Sequence, residues 1–522
     1  RGFTMTRLIR EFSPTRLLIL MTLSLFFVAF SLRLMKLLTG YPFADDHARD
    51  VRIVMEHIEE SKPFVLGPKA SVGNIFVQPL YYYLIAIPLW VSQGNPVSAS
   101  LLVVFVDSLT PVLLLAIGMI IFSKSAGFLM GLLYALSPFA IIYGSFAWSP
   151  NLVSFATTAS VLGILMYLYK QNNAGAILAS IFAIGAFHMH FQGLVVLGLV
   201  GCIAVYSVLF RKQSIKPWLL SVGIFVLSFT PIVFNLSVGV GNLQEIYRYF
   251  TQEQASYFQT TRTLEFLWNN IPRSFEVSLG FTSDGYMVGR SILVLGFVTG
   301  IIAGFKRWLQ SRSIKGVFWI PPEWLLVLFY GVSIVGLRIY KGDKLDYYLL
   351  FMLYLPLLLL GLIWNEFRSR WFRVGTLIVL FGIVLNMGLH HPYAQYIGYS
   401  LADVRSNQDI SFISEVVERT IQQYPTVQHG PVLYEFYREP IEYVSRWEFD
   451  LQKRVEIDSD RFVMFCSPEQ CCMEFRCIAG CNSTEMISFL TNNPELSVVP
   501  RSSIKLTRIG RSIEAVEYED LK

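Results

Sequence analysis

The chain has 522 residues, of which 54% are hydrophobic and only 15% charged, and its formal net charge is +5. Soluble domains carry about 25% charged residues, so this balance excludes a soluble globular protein and indicates a chain with many bilayer-length apolar runs. The small positive excess falls between those runs, which reads as membrane topology and excludes a nucleic-acid partner.

The first apolar run, Leu17 to Leu32, is flanked by Arg7, Arg10 and Arg16 and has no small-residue cleavage site, so it reads as a retained anchor. Tyr41-Pro42-Phe43-Ala44-Asp45-Asp46-His47-Ala48-Arg49-Asp50 follows it. Val51, Val54, Met55 and Ile58 then recur at helical spacing, with Arg49, Arg52, Glu56 and Glu59 opposite, which predicts an amphipathic helix on the membrane surface. Asp45 and Asp46 stand at its N-terminus, where the dipole favours an ionised acid. They read either as a helix cap with its neighbour or as a catalytic carboxylate pair. A loop with Gly67, Pro68 and Gly73 leads to Gln78-Pro79-Leu80-Tyr81-Tyr82-Tyr83 and a short run to Trp90 that holds Pro88. That run suits an interfacial or re-entrant segment rather than a span.

The later apolar runs are 98–122, 126–143, 151–169, 175–187, 191–210, 217–238, 291–305, 323–339, 347–363 and 371–388. With the first they give about 11 spans if 79–92 does not cross. An N-terminus in the cytoplasm then puts Lys124; Lys170; Arg211, Lys212 and Lys216; Lys306, Arg307, Arg312 and Lys315; and Arg368, Arg370 and Arg373 inside, as the positive-inside rule requires. Residues 40–97 become one external loop. Tyr143 to Asn151, Phe187 to Gln192, a long polar loop over 239–290 and the turn 340–346 also fall outside. Within 239–290, Leu264, Leu267, Trp268 and Ile271 predict a second amphipathic helix ended by Pro272.

The composition turns polar at Tyr393. Ile410, Ile413, Val417 and Ile421 mark a helix, and 432–434, 462–465, 496–499 and 513–516 read as strands. The expected organisation is a membrane domain over 1–389 and an extracytoplasmic α/β domain over 390–522. Cys466, Cys471, Cys472, Cys477 and Cys481 lie in that tail, where disulfides are the natural reading. Neither a P-loop nor a Rossmann glycine pattern occurs, which disfavours a nucleotide-driven pump.

The external polar groups divide into acids and bases: Asp45, Asp46, Arg49 and Asp50; Lys69; Asn151; His188 and His190; Arg338, Lys341, Lys344 and Asp346. A carboxylate can take a proton from an acceptor hydroxyl while cations hold an anionic leaving group such as a lipid phosphate. Lys341 and Lys344 equally suit interface anchors. His188 and His190 are a weak pair for a metal; a divalent cation is a candidate cofactor with no certain ligand set. Asp107 lies inside an apolar run, so it is either functional or paired with another buried polar group.

The acidic pair after the first span, the amphipathic helix, the Gly-Pro loop and Pro79-Leu80-Tyr81-Tyr82-Tyr83 together resemble the GT-C glycosyltransferases. Within them, the protein-O-mannosyltransferase and aminoarabinose-transferase-like group is the nearest likeness. Trp148-Ser149-Pro150-Asn151 before a span, and Lys344-Leu345-Asp346-Tyr347-Tyr348 before a span with Pro356, extend the resemblance over about residues 5–390. It implies a mainly α, polytopic membrane helical bundle and inverting transfer of a sugar from a polyprenyl-phosphate donor on the non-cytoplasmic face, to a glycan, lipid or protein hydroxyl. It aligns Asp45 with the family's first acid, the general base, and Asp46 with the second. Asn151 falls near the family's second-loop acid, which is missing here. Phosphate and substrate binding then rest on Arg49, Lys69, Asn151, His188, His190, Arg338, Lys341, Lys344, Asp346 and Tyr347. A lipid-linked glycan flippase or transporter, or a glycan ligase or polymerase, is the alternative.

Overall fold

The structure, a computed structural model, describes residues 14–39, 43, 45–70, 75–231, 236–249, 251, 286–315, 319–339, 346–367, 369, 373–374, 461–466, 504–508 and 514–519. The chain divides into two units. The first is helical and holds residues 1–38, 60–88 and 97–400; the second holds 39–59, 89–96 and 401–522.

In the first unit, α1 (Pro14–Thr39) is followed after the loop by α3 (Leu80–Val91), whose last three residues are counted in the second unit. Tyr81, Tyr82, Ile85 and Leu89 share the buried face of α3, while Tyr83, Ile87 and Trp90 are exposed. The Tyr triplet is therefore split by helical period: two rings pack inside, and Tyr83 donates its hydroxyl to Phe64 O at 3.1 Å. The expected run 98–122 is two helices, α4 (Pro96–Asp107) and α5 (Thr110–Ile121). Pro111 stands in the first turn of α5, where its missing N–H costs nothing, and the break puts Asp107 at the end of α4. Next come α6 (Lys124–Leu136) and α7 (Pro138–Tyr143). Ser123 caps α6 through Ala126 N–H, and Ser137 caps α7 through Ala140 N–H.

A 3-10 turn, Ser149–Leu152, enters α8 (Val153–Lys170), which forms a hairpin with α9 (Asn173–Met189). Small residues allow this hairpin to close tightly. A Cβ on Gly163 would lie 2.5 Å from Ala179 N, and one on Gly175 would lie 2.6 Å from Gly163 O. Ser160 donates to Ala179 O at 2.9 Å across the same seam. Lipid tails are as apolar as leucine, so close packing and interhelical hydrogen bonds carry association here.

The remaining helices are α10 (Gly193–Leu209), α11 (Lys216–Ser228), α12 (Leu236–Arg248), α13 (Tyr286–Lys315), α14 (Pro322–Ile339) and α15 (Leu355–Glu366), the last preceded by a 3-10 segment, Asp346–Met352. Helix α12 occupies the start of the stretch expected as a polar loop. Asn242 on α12 grips a hairpin between Gly67 and Val77: Phe76 N–H donates to its Oδ1 at 2.8 Å, and its Nδ2 donates to Phe76 O at 2.9 Å. In α14, Glu323 lies in the first turn and pairs with Arg307 of α13 at 2.9 Å.

Among the described residues, Thr15–Leu38, Pro96–Ile121, Ser149–Lys170 and Tyr347–Glu366 are long and apolar enough to cross a membrane; Leu80–Val91, Lys124–Leu136, Asn173–Met189, Gly193–Leu209, Lys216–Ser228 and Pro322–Leu337 are shorter apolar helices. Among the described residues, the runs expected as spans thus include both full-length and shorter helices. The segment Tyr347–Glu366 is buried almost throughout, whereas α1, α11 and α13 expose rows such as Ile19, Leu23 and Phe27; Leu219, Val222 and Val226; and Val298, Ile302 and Phe305. Such apolar faces suit a lipid solvent. The chain is a helical membrane protein.

In the second unit, α2 (Asp45–Glu59) forms where the sequence pattern expects it, with Ala48, Val51 and Val54 buried. A three-stranded antiparallel sheet of order β1-β3-β2 joins β1 (Arg461–Cys466), β2 (Ile504–Arg508) and β3 (Glu514–Glu519), with Arg461 opposite Glu519 and Ile504 opposite Tyr518. Strands β1 and β3 match the pattern at 462–465 and 513–516. The expected helices around 264–271 and 410–421, the strands at 432–434 and 496–499, the run at 371–388 apart from 373–374, and all the tail cysteines but Cys466 lie outside the described residues.

Candidate functional site

In the second unit, the acids and Arg49 of α2 form an ion-pair group. Asp45 is the first residue of the helix; its side chain lies outside the described residues. Arg49 Nη1 donates to Asp46 Oδ1 at 2.6 Å, and Arg49 Nη2 donates to Asp50 Oδ1 at 2.8 Å. Asp50 is buried and Asp46 about half exposed. Arg49, expected as an anion holder, is therefore already engaged by two carboxylates one helical turn apart.

In the first unit, Lys69 is exposed on the hairpin and forms a backbone bridge with Phe76. Arg338 lies at the end of α14 and Asp346 opens the second 3-10 segment, but their side chains lie outside the described residues, as do Lys341 and Lys344 altogether.

The described members of the expected set that meet are His190 and Tyr347. Trp148, extended just before the first 3-10 turn, contacts Tyr347 edge-on at 4.7 Å between ring centroids. Tyr347 stacks on Tyr348 at 4.4 Å, and His190 meets both rings, at 6.1 and 5.8 Å. Ser154 of α8 donates to Leu350 O at 2.7 Å, which holds the second 3-10 segment against the helix that follows the first. Asn151 is 1% exposed; its Nδ2 donates to Phe146 O at 2.8 Å, while Oδ1 has no hydrogen-bond partner among the described residues. Gln192 is 9% exposed, and neither its Oε1 nor its Nε2 has a partner there. Gln192 N–H donates to His190 Nδ1 at 3.3 Å, which leaves the neutral imidazole's proton on Nε2. Burial lowers the His190 pKa from its ordinary value to about 4, so the ring is neutral at physiological pH.

His188 does not join this group. It was expected beside His190 in a short loop, but α9 continues through Met189 and buries His188 in its last turn. Its Nε2 lies 3.2 Å from Ser228 Oγ, whose own proton goes to Phe225 O at 2.6 Å. The imidazole is thus the donor to Ser228, and its setting is helix packing. Among the described residues, no three His, Cys, Asp or Glu side chains come together as metal ligands.

Asp107 finds the buried partner that the sequence leaves open. Arg33 Nε donates to Asp107 Oδ2 at 2.6 Å and Tyr134 Oη donates to Asp107 Oδ1 at 2.8 Å, with Arg33 and Asp107 only 0% and 2% exposed. Arg33 Nη1 reaches Ala29 O at 3.2 Å and the guanidinium lies 5.5 Å from the Tyr134 ring centroid. The sequence reading does not single out Arg33, because it sits just past the end of the first apolar run. It also passes Gln192, an amide among apolar residues, whose signal is polarity without a local partner.

No protein-family model matches the chain, and no curated protein sequence matches it. Solved structures do. ArnT from Cupriavidus metallidurans bound to undecaprenyl phosphate is similar at 13% identity and a TM-score of 0.56, over 97% of this chain and 98% of that one. The same protein in the apo state is similar at 14% identity and a TM-score of 0.55, over 95% and 97%. An oligosaccharyltransferase from Archaeoglobus fulgidus in the apo form has 13% identity and a TM-score of 0.43, over 81% of this chain and 64% of that one. Both ArnT matches cover nearly the whole of each chain, so this chain shares its fold with ArnT.

Proposed function

We propose that the chain is a glycosyltransferase that moves a sugar from a polyprenyl-phosphate carrier to an acceptor hydroxyl on the extracytoplasmic face of the cell membrane, where it spans several times and exposes its C-terminal domain. One observation carries the reading: a fold shared over 97% of the chain with an ArnT structure bound to undecaprenyl phosphate. In the reaction, the acceptor oxygen attacks the anomeric carbon and its proton passes to a carboxylate, assigned to Asp45. The bond from that carbon to the phosphate oxygen breaks, and polyprenyl phosphate leaves with the electron pair. Attack opposite the leaving group inverts the anomeric centre. The departing phosphate needs cations; Lys69 and the basic residues 338, 341 and 344 are assigned to it, each such positioned donor being worth about 3–4 kcal/mol. Arg49, held between Asp46 and Asp50, is assigned to keeping the acidic end of α2 ionised.

The purified chain, incubated with radiolabelled polyprenyl-phosphate monosaccharide, is expected to release polyprenyl phosphate only when an acceptor is present. Asp45→Asn is expected to abolish transfer at normal membrane expression. Retained transfer by that variant removes Asp45 from the mechanism. Passage of intact lipid across a vesicle membrane without cleavage supports a flippase instead.

A further inference from the structure

The loop before α3 holds a hairpin whose strands meet at Lys69 and Phe76. On either side of that pair, Ala70 N–H donates to Ile75 O at 2.8 Å and Val77 N–H donates to Pro68 O at 3.1 Å. Lys69 and Phe76 are therefore the non-hydrogen-bonded pair of an antiparallel ladder. In such a pair the Cα atoms approach to about 4.5 Å and the side chains share one face. The N–H and C=O of both residues point away from the opposite strand. At Phe76, Asn242 of α12 takes both groups, at 2.8 and 2.9 Å. Holding the Phe76 backbone from outside fixes the residue directly across from it, and that residue is Lys69.

Other contacts seat the hairpin at its base. Gly67 N–H donates to Val77 O at 2.8 Å, and no Cβ fits on Gly67 against Gln78 O. Gly67, Pro68, Val77 and Gln78 are buried, whereas Lys69 is exposed. Tyr83 of α3 holds the entry of the loop through Phe64 O at 3.1 Å. Asn242 itself is 5% exposed. A buried carboxamide is costly unless its donors and acceptor are matched. Here the match is to backbone 166 residues away, and what it orders is the strand pair that carries a lysine. Lysine is a point charge on a flexible stem, so its hold on an anion depends on where its backbone is set. We propose that Asn242 is a positioning residue for the lipid-phosphate site: through Phe76 it sets the backbone of Lys69 so that the ammonium meets the phosphate of the polyprenyl carrier. This rests on the glycosyltransferase reading and its assignment of Lys69 to the departing phosphate. It adds the element, α12, that holds that cation in place.

The test is binding of polyprenyl phosphate to the purified full-length chain in detergent, with uncharged polyprenol as the reference and ionic strength varied. The unaltered chain is expected to prefer the phosphate, with an affinity that falls as salt rises. Lys69→Met is expected to weaken phosphate binding about tenfold, the worth of one hydrogen bond to a charged group, and to flatten the salt dependence. Asn242→Leu is expected to weaken it severalfold and to flatten the salt dependence as well, with polyprenol bound as before. The two together are expected to do no more than Lys69→Met alone, because the cation that Asn242 places is already gone. A carboxamide that only supports folding would weaken both lipids and add its loss to that of Lys69→Met. If the leucine variant does not fold, Asn242→Ser, a smaller change that leaves a hydroxyl, takes its place in the cycle with the same expectation. Additive losses, or a parental phosphate affinity in the Asn242 variant, overturn the positioning role while Lys69 keeps its assignment. Unchanged binding by Lys69→Met overturns that assignment and the positioning role together. No preference of the unaltered chain for the phosphate over polyprenol overturns the lipid-phosphate reading itself.

Discussion

The pair between Arg33 and Asp107 joins the first long helix to the second deep inside the bundle, and removing either partner strands the other. Asp107→Leu leaves a guanidinium that is 0% exposed with backbone carbonyls and the Tyr134 ring but no counter-charge from Asp107. Arg33→Met leaves a carboxylate held only by the Tyr134 hydroxyl at 2.8 Å. Each single variant is expected to lose about 3–5 kcal/mol, the penalty for one uncompensated buried charge. Tyr134→Phe removes a single hydrogen bond to a charged group and is expected to lose about 1.5–3 kcal/mol. Arg33→Met combined with Asp107→Leu removes both charges and keeps comparable volume, so its stability is expected near or above that of the parent chain. The assay is unfolding of the purified protein by titration with SDS in mixed micelles, followed by circular dichroism. The parent chain, Arg33→Met, Asp107→Leu and the double variant make a double-mutant cycle with an expected coupling of several kcal/mol. If Asp107→Leu unfolds with the parent chain, or if the double variant loses the sum of the two single losses, the pair is not what ties these helices together.

Other consequences can be measured in the same preparation. Gly163→Val is expected to force α8 from α9 and cost at least about 1–3 kcal/mol, because its Cβ would meet backbone at 2.5 Å; an unchanged unfolding midpoint contradicts the tight hairpin. His190 gives a pH signature. Its folded pKa of about 4 lies below the ordinary value of 6.5, so above pH 6.5 both folded and unfolded rings are neutral and it contributes no slope. Between 6.5 and 4 the unfolded chain takes a proton that the folded chain refuses, and stability is expected to fall by about 1.4 kcal/mol per pH unit. His190→Asn is expected to remove that slope from the difference between the two unfolding curves; parallel curves place His190 in water.

Local patterns were legible wherever one face decides the structure. Helix α2 follows from Val51 and Val54 at helical spacing, the brevity of α3 follows from its short apolar run, with Pro88 inside the helix rather than at its end, and β1 and β3 follow from short alternating runs. Strand β2 shows the same alternation, with Ile504 and Leu506 separated by Lys505, but its two apolar positions are too few to stand out. Helix α12 is hidden by its polar residues Asn242, Gln244 and Glu245, which sit in a stretch otherwise read as loop. Pairings over distance were not legible. Arg33 and Asp107 are 74 residues apart, and Phe76 and Asn242 are 166 apart. The site divides in the same way. Tyr347 is marked by a motif, but its meeting with His190 depends on where α9 stops, and that stop also removes His188 from the group.

The grip of Asn242 on Phe76 carries a consequence for how this protein avoids sticking to its neighbours. A hairpin with one edge facing outward offers a docking rail for any extended peptide. Here a single carboxamide imitates the peptide group of a missing strand, occupying donor and acceptor together at that rail. At Phe76 that edge is thereby closed to strand addition by a side chain of α12.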